Sequence, residues 1–327
     1  MPVISVDRDL DRLTLTITAE FPVPVRRLWD AYVDPRQLEK FWGPPTWPAT
    51  FTRHDVFPGG RSDYYMTGPD GSRACGYWEY LSVDECRSFE VLDGFSHDDG
   101  RPNTDLPTMR AVFTFGETDT GSRLETTTYF TSLAELEQLI EMGMEEGTRE
   151  AMGQIEAVVT DDSTFAADTG TQSQLLDERT VRVTRILHGT PRQVWDAHHE
   201  PELLNRWFHG PDGWALVDCR VAPAPGETTR FEWAPDDGVE GEAFALTGQL
   251  LETDPPHREV FTETMEGVDA PPTRNEQTLT AVEDGSLMTL VITYDSADLR
   301  ETILGTGMVD GMEAGYRRLE AEVLTSP

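Results

Sequence analysis

The chain states one unit twice. Residues 23–45, VPVRRLWDAYVDPRQLEKFWGPP, run without a gap against 189–211, GTPRQVWDAHHEPELLNRWFHGP. Trp29-Asp30 meets Trp195-Asp196, Asp34-Pro35 meets Glu200-Pro201, Leu38 meets Leu204, and Phe41-Trp42 meets Trp207-Phe208. The correspondence continues through Pro58-Gly59-Gly60 against Ala224-Pro225-Gly226, and ends with Gly143-Met144 and Gly147 against Gly307-Met308 and Gly311. Such self-similarity settles the architecture before any element is assigned, because what one copy folds into the other must fold into as well. The polar segment Thr160 to Gln174 lacks periodicity and reads as a linker. The expected organisation is a first domain at 1–160, a linker at 161–177 and a second domain at 178–327.

Length agrees with this division, since 327 residues suit two ordinary cores better than one. The apolar fraction of 38%, with 8 Trp and 14 Phe, is enough to fold both despite the high charge. That charge is a net −34, and Lys40 is the only lysine. A surface of this sign repels phosphate backbones and anionic headgroups, so neither nucleic acid nor a membrane is an expected partner. Met1 to Leu15 contains no uninterrupted apolar stretch of the kind a secretory signal needs. No run of about 18 apolar residues occurs, so no membrane span is expected. Cys75, Cys86 and Cys219 are odd in number and lack metal-type spacing, which suits free thiols in a cytoplasmic location.

Each copy opens with a strand, in which Leu13, Leu15 and Ile17 alternate with threonine and Val181 and Val183 alternate with polar residues. Two short helices follow. Thr190-Pro191-Arg192-Gln193 supplies an N-cap, a first-turn proline and a capping-box glutamine, Pro24 takes the corresponding place in the first copy, and Asp34-Pro35 and Glu200-Pro201 start the second helix. Strand-sized pieces separated by Gly, Pro and Asp then fill about 50–131 and 214–295, as in an antiparallel meander. The unit closes with a helical pattern over 132–159 and 296–324, read as one long helix in each copy. Glycine at matched places within it, Gly143, Gly147, Gly307 and Gly311, suggests close backbone approach or room kept for something else.

This order, with Val-x-x-Leu-Trp-Asp-Ala, the Trp/Phe pair followed by Gly-Pro, the Pro-Gly-Gly turn, GQLLETDPPHREVF at Gly248 to Phe261 and the final Gly-Met-x-x-Gly, resembles the START-like (SRPBCC) superfamily and, within it, the heat-shock protein 90 ATPase activator-like branch. The resemblance implies an α+β fold: two tandem helix-grip domains, each a curved antiparallel sheet wrapped around a long C-terminal helix, with two short helices after the first strand. It also implies a mostly apolar cavity between sheet and helix that receives a hydrophobic small molecule or contacts a partner protein such as a chaperone. The activators that name the branch pair this domain with a different N-terminal domain, and here a second copy stands instead.

If each domain has a pocket, strand parity and the helix pattern nominate its lining. In the first copy these are Trp42, Tyr64, Met66, Trp78, Phe113, Phe115 and Met144; in the second they are Phe208, Phe231, Trp233, Phe261 and Met308. Ser62, Tyr64, Glu145 and Asp310 would add polar groups to an apolar surround, the mixture that small-molecule sites use. Aromatics filling a core give the same pattern. The histidines near carboxylates, His54-Asp55, His97-Asp98 and His198-His199, do not recur between copies, and no third group completes a catalytic set. Neither a metal site nor a cofactor fingerprint is present. The sequence therefore points to a binding protein for a hydrophobic small molecule. A co-chaperone-like interaction module, or a cyclase, dehydratase or hydrolase using polar groups in the cavity, are the alternatives.

Overall fold

The computed structural model describes residues 2–161 and 170–324. The chain divides into two compact units, Met1–Phe165 and Ala166–Pro327. Of the segment read as a linker, residues 162–169 lie outside the described residues.

The first unit runs β1 (Val3–Asp9), β2 (Thr14–Phe21), α1 (Val25–Val33), α2 (Pro35–Leu38), β3 (Ala49–His54), β4 (Arg61–Thr67), β5 (Arg73–Asp84), β6 (Ser88–Ser96), β7 (Met109–Thr118), β8 (Gly121–Tyr129), α3 (Leu133–Glu141) and α4 (Met144–Val159). The second repeats it as β9 (Gln172–Leu175), β10 (Thr180–Leu187), α5 (Pro191–His199), α6 (Pro201–Trp207), β11 (Trp214–Arg220), β12 (Thr228–Pro235), β13 (Phe244–Asp254), β14 (Arg258–Met265), β15 (Thr273–Val282), β16 (Gly285–Thr293), α7 (Ala297–Leu304) and α8 (Met308–Leu319), with a π-helical last turn at Glu320–Leu324. The sheets have the same antiparallel order, β1-β2-β8-β7-β6-β5-β4-β3 and β9-β10-β16-β15-β14-β13-β12-β11. The α+β, tandem helix-grip reading holds.

Each sheet has one strand more than the sequence pattern indicates. β1 is mostly polar or charged and pairs only with β2, and β9, Gln-Ser-Gln-Leu, pairs only with β10 inside the segment read as linker. Edge strands that bury no apolar face leave no period-2 signal. β2 does leave one, because Leu15, Ile17, Ala19 and Phe21 all point into the core.

The expected capping box at Thr190 and Gln193 is present, with Pro191 in the first turn. Pro24 sits one place earlier than expected, as the N-cap of α1. The larger difference is the closing helix, which is two helices in each copy. Gly143 (φ 89°) and Gly307 (φ 83°) adopt the left-handed conformation between α3 and α4 and between α7 and α8. The apolar period runs through both breaks, so periodicity alone joined them. Only glycine takes this backbone cheaply, which is why glycine recurs at the matched place.

Because a Cβ on Gly143 would meet nothing within 4 Å, Gly143→Ala should cost about 1–2 kcal/mol from backbone strain alone. Gly153, exposed in mid-α4 with open space around it, should instead give a gain of about 0.5–1 kcal/mol as Ala. Urea unfolding checks both signs; equal effects would contradict the break.

Candidate functional site

One face of the first sheet lies under α3 and α4, and the pairing register shows which side chains reach it. Tyr64 is opposite Gly76 and Ser62 is opposite Trp78; Trp78 is opposite Asp93; Asp93 faces Met109, and Val91 faces Ala111. Phe113 meets Thr126, which meets Ile17. Gly76 is required by its neighbour, since a Cβ there would come within 2.5 Å of the Tyr64 ring. Tyr64 thus lies across β5, and Trp42 from the segment after α2 stands edge-on to it at 6.0 Å and to Trp78 at 4.6 Å.

Between this face and the α3–α4 break lies a cavity of about 290 Å³. The helix side contributes Leu139, Met142, Met144, Thr148 and Met152, and Gly143 and Gly147 line it through backbone. Opening the helix at Gly143 therefore sets one wall of the space. A Cβ on Gly147 would make an ordinary 3.6 Å contact with Pro44. Close approach thus does not explain that glycine.

Of the residues nominated in the first copy, Trp42, Tyr64, Met66, Phe113 and Met144 line the cavity. Trp78 and Phe115 do not; both are packed in the core, Phe115 at 5.2 Å from Trp29. Of the expected polar groups, Tyr64 lines it and Ser62 and Glu145 do not. Ser62 is fully buried and hydrogen-bonded to His54 (2.8 Å), and Glu145 pairs with Arg8. Tyr64 is joined in the polar lining by Tyr32, Thr126, Thr128, Thr148 and Asp93.

Asp93 is the residue that sequence reasoning missed. It stands where the alternation Phe89, Val91, Phe95 calls for an apolar side chain, and extending the strand beyond Leu92 would have exposed it. Burial pushes its carboxyl up to about 7. The Trp78 indole N–H lies close enough to favour the anion, but it completes no hydrogen bond of ordinary geometry. Burial, then the charge of Asp93, pushes the Tyr64 phenol well above its usual value. The Thr126 hydroxyl, also on the cavity wall, has no hydrogen-bond partner among the described residues.

The second copy keeps the acid and changes its surroundings. Glu263 follows the first residue of β14 by the interval at which Asp93 follows that of β6, and burial pushes it too up to about 7. Tyr316 follows Gly307 as Met152 follows Gly143, so a buried phenol ring takes the place of a methionine. Phe208 packs edge-on against Phe231 and Trp233 at 5.3 and 5.1 Å. Phe261 is opposite Asn275 in β15, and Met308 lies 3.8 Å from the Tyr294 hydroxyl. Asp310 is exposed.

Of the suspect histidines, His97 is exposed and the other three are held within the fold. His54 is buried, with Nε2 3.0 Å from the Tyr32 carbonyl, to which it must donate; Nδ1 then accepts from Ser62. Burial lowers the His198 imidazole to about 4, and its Nδ1 donates to the Val194 carbonyl at 2.7 Å. His199 stacks on Trp195 at 4.0 Å and reaches Glu259 at 3.1 Å. Burial, reinforced by Asp98, pushes the Cys75 thiol up to about 11, the wrong direction for a nucleophile. Among the described residues no cluster of His, Cys, Asp or Glu is arranged to hold a metal ion, and no helix is long and apolar enough to cross a membrane.

The folded pKa of Asp93 lies above the ordinary carboxylate value of about 4, so the folded domain holds a proton that the unfolded chain has lost between about pH 4 and 7. Stability from this group is therefore greatest at the acid end, falls as pH rises towards 7 and is level above it. Asp93→Asn should gain stability relative to the parent chain across that interval, in urea unfolding at a series of pH values. A pH-independent difference would mean that Asp93 titrates normally.

The family described as Activator of Hsp90 ATPase homolog 1-like protein matches residues 22–160 and again 188–323. Among solved structures, a protein from Mycobacterium smegmatis is 54% identical, covering 49% of this chain and 98% of its own, with a TM-score of 0.47. One from Arthrobacter aurescens is 42% identical over 49% of this chain and 94% of its own, TM-score 0.47. The AHSA1 protein from Silicibacter pomeroyi is 20% identical over 44% of this chain and 95% of its own, TM-score 0.37. No curated protein matches the chain.

Proposed function

The chain belongs to the Activator of Hsp90 ATPase homolog 1-like family, and from that premise we propose that it is a cytoplasmic binding protein for a compact hydrophobic small molecule, held in the first domain. The observation that carries the reading is the cavity of about 290 Å³ beneath the helix break, mostly apolar with a few convergent polar groups. A cavity of about 150 Å³ takes a benzene ring, so the space suits a ligand of one to two rings. Binding rather than catalysis is supported by the lining, whose titratable groups are Asp93 and two phenols with no second acid or base placed to work with them. Free Cys75, Cys86 and Cys219 fit a reducing cytoplasm. The second domain is a counterpart of the same module with Tyr316 in the place of Met152.

An environment-sensitive apolar fluorophore should bind one per chain. Met152→Tyr, which copies the second domain into the first, should weaken that binding by about tenfold or more, through loss of buried contact area. Unchanged binding in a folded variant would place the probe elsewhere.

A second reading, docking to a chaperone or another protein, is favoured by one feature. Irregularities in β5 and β13 turn Leu81 and Leu251 out to solvent at matching places, 47% and 36% exposed. If these leucines dock, adding the chain should change the ATPase rate of a bacterial heat-shock protein 90 homologue, and replacing both by Ser should abolish the change. No change with the parent chain rejects the reading.

A further inference from the structure

We infer that the first-domain cavity selects a compact apolar amine, whose ammonium group pairs with Asp93 while its hydrocarbon part lies among the aromatic and methionine side chains. The inference rests on the proposal that this cavity binds small molecules and adds the chemistry of the ligand.

The carrying observation is an acid without a counter-ion. Elsewhere in the first domain, buried aspartates are matched by arginine: Asp30 by Arg26 at 3.0 Å, Asp34 by Arg36 at 2.8 Å and Asp55 by Arg53 at 2.5 Å. Asp93 opens instead onto the cavity, where no arginine, lysine or histidine is among the lining residues. Carboxylates taken from water are normally paired, because an isolated one is expensive to hold. Once the carboxyl is ionised, a ligand's cation can supply the partner that the lining lacks.

The surroundings suit a cation. Trp42, Tyr64, Phe95 and Phe113 line the same space, and aromatic rings attract a desolvated ammonium through their negative faces. The Thr126 hydroxyl offers a further hydrogen-bonding group. The other titratable groups lining the cavity are phenols, Tyr64 from β4, which feels the charge of Asp93, and Tyr32 from α1; burial pushes both, and the Cys75 thiol near Tyr64, above their usual values. α3 and α4 present no titratable lining group. The net charge of −34 draws cations towards the chain and disfavours anions. Glu263 occupies the equivalent place in the second copy although its neighbours differ, so the acid is a property of the module, not an accident of one strand.

Calorimetric titration of the full chain with 2-phenylethylamine, 2-phenylethanol and phenylacetate tests this. At about pH 8 the amine should bind about tenfold or more tighter than the alcohol, and phenylacetate more weakly than either. Lowering the pH to about 5.5 should erase the amine's advantage, as Asp93 takes up a proton, and leave the alcohol unchanged. Asp93→Asn should do the same at pH 8; the pH series in the parent chain keeps the test decisive if that variant does not fold. Equal binding of alcohol and amine at pH 8 overturns the amine inference and leaves the apolar-ligand reading intact. Failure of all three, together with the apolar fluorophore, overturns both.

Discussion

The structure of each domain depends on one backbone constraint, the left-handed glycine that divides the closing helix. Gly143 lets α3 and α4 follow different lines over the sheet. α4 can then bury Met152, Ile155, Val158 and Val159 while α3 buries Leu136 and Leu139. The cavity lies under the break, walled by Met142, Gly143 and Met144 on the helix side. Backbone conformation, apolar packing and candidate site are thus consequences of the same residue.

The two copies keep one architecture and differ in the side chains it carries. Sheet order, helix order and the glycine break are retained, and so is the half-buried acid at Asp93 and Glu263. What differs is side-chain volume at a few positions, above all Tyr316 for Met152. Electrostatics differ as well: Arg185, buried on β10, reaches Glu313 and Glu320 on the closing helical segment and ties sheet to helix with charge. The corresponding part of β2 is apolar, with Ala19 fully buried. Breaking a buried pair of this kind leaves a charge stranded and is strongly destabilising.

Most of the fold was legible in the sequence because the repeat supplied two readings of every element. The capping box at Thr190 and Gln193 and the apolar alternation of Leu15, Ile17 and Ala19 are local signals that tertiary structure did not override. The edge strands β1 and β9 were not legible, since they bury little. Nor was the helix break, because the apolar period continues through Gly143 and only its backbone angle reveals the change. For the site, parity placed Tyr64, Met66 and Phe113 on the cavity face. It could not separate them from Trp78 and Phe115, which share the face but pack shut, because alternation tells direction and not depth. Asp93 escaped for the opposite reason: a search for apolar residues passes over the one polar residue in an apolar row.

The central claim is that the first domain holds a small molecule beneath its broken helix, and native mass spectrometry of the chain purified from its own host tests it most directly. The account predicts one bound small molecule per chain, released on denaturation and confined to the first domain. A clean mass for the folded chain alone, with no uptake from a library of apolar metabolites, would contradict it.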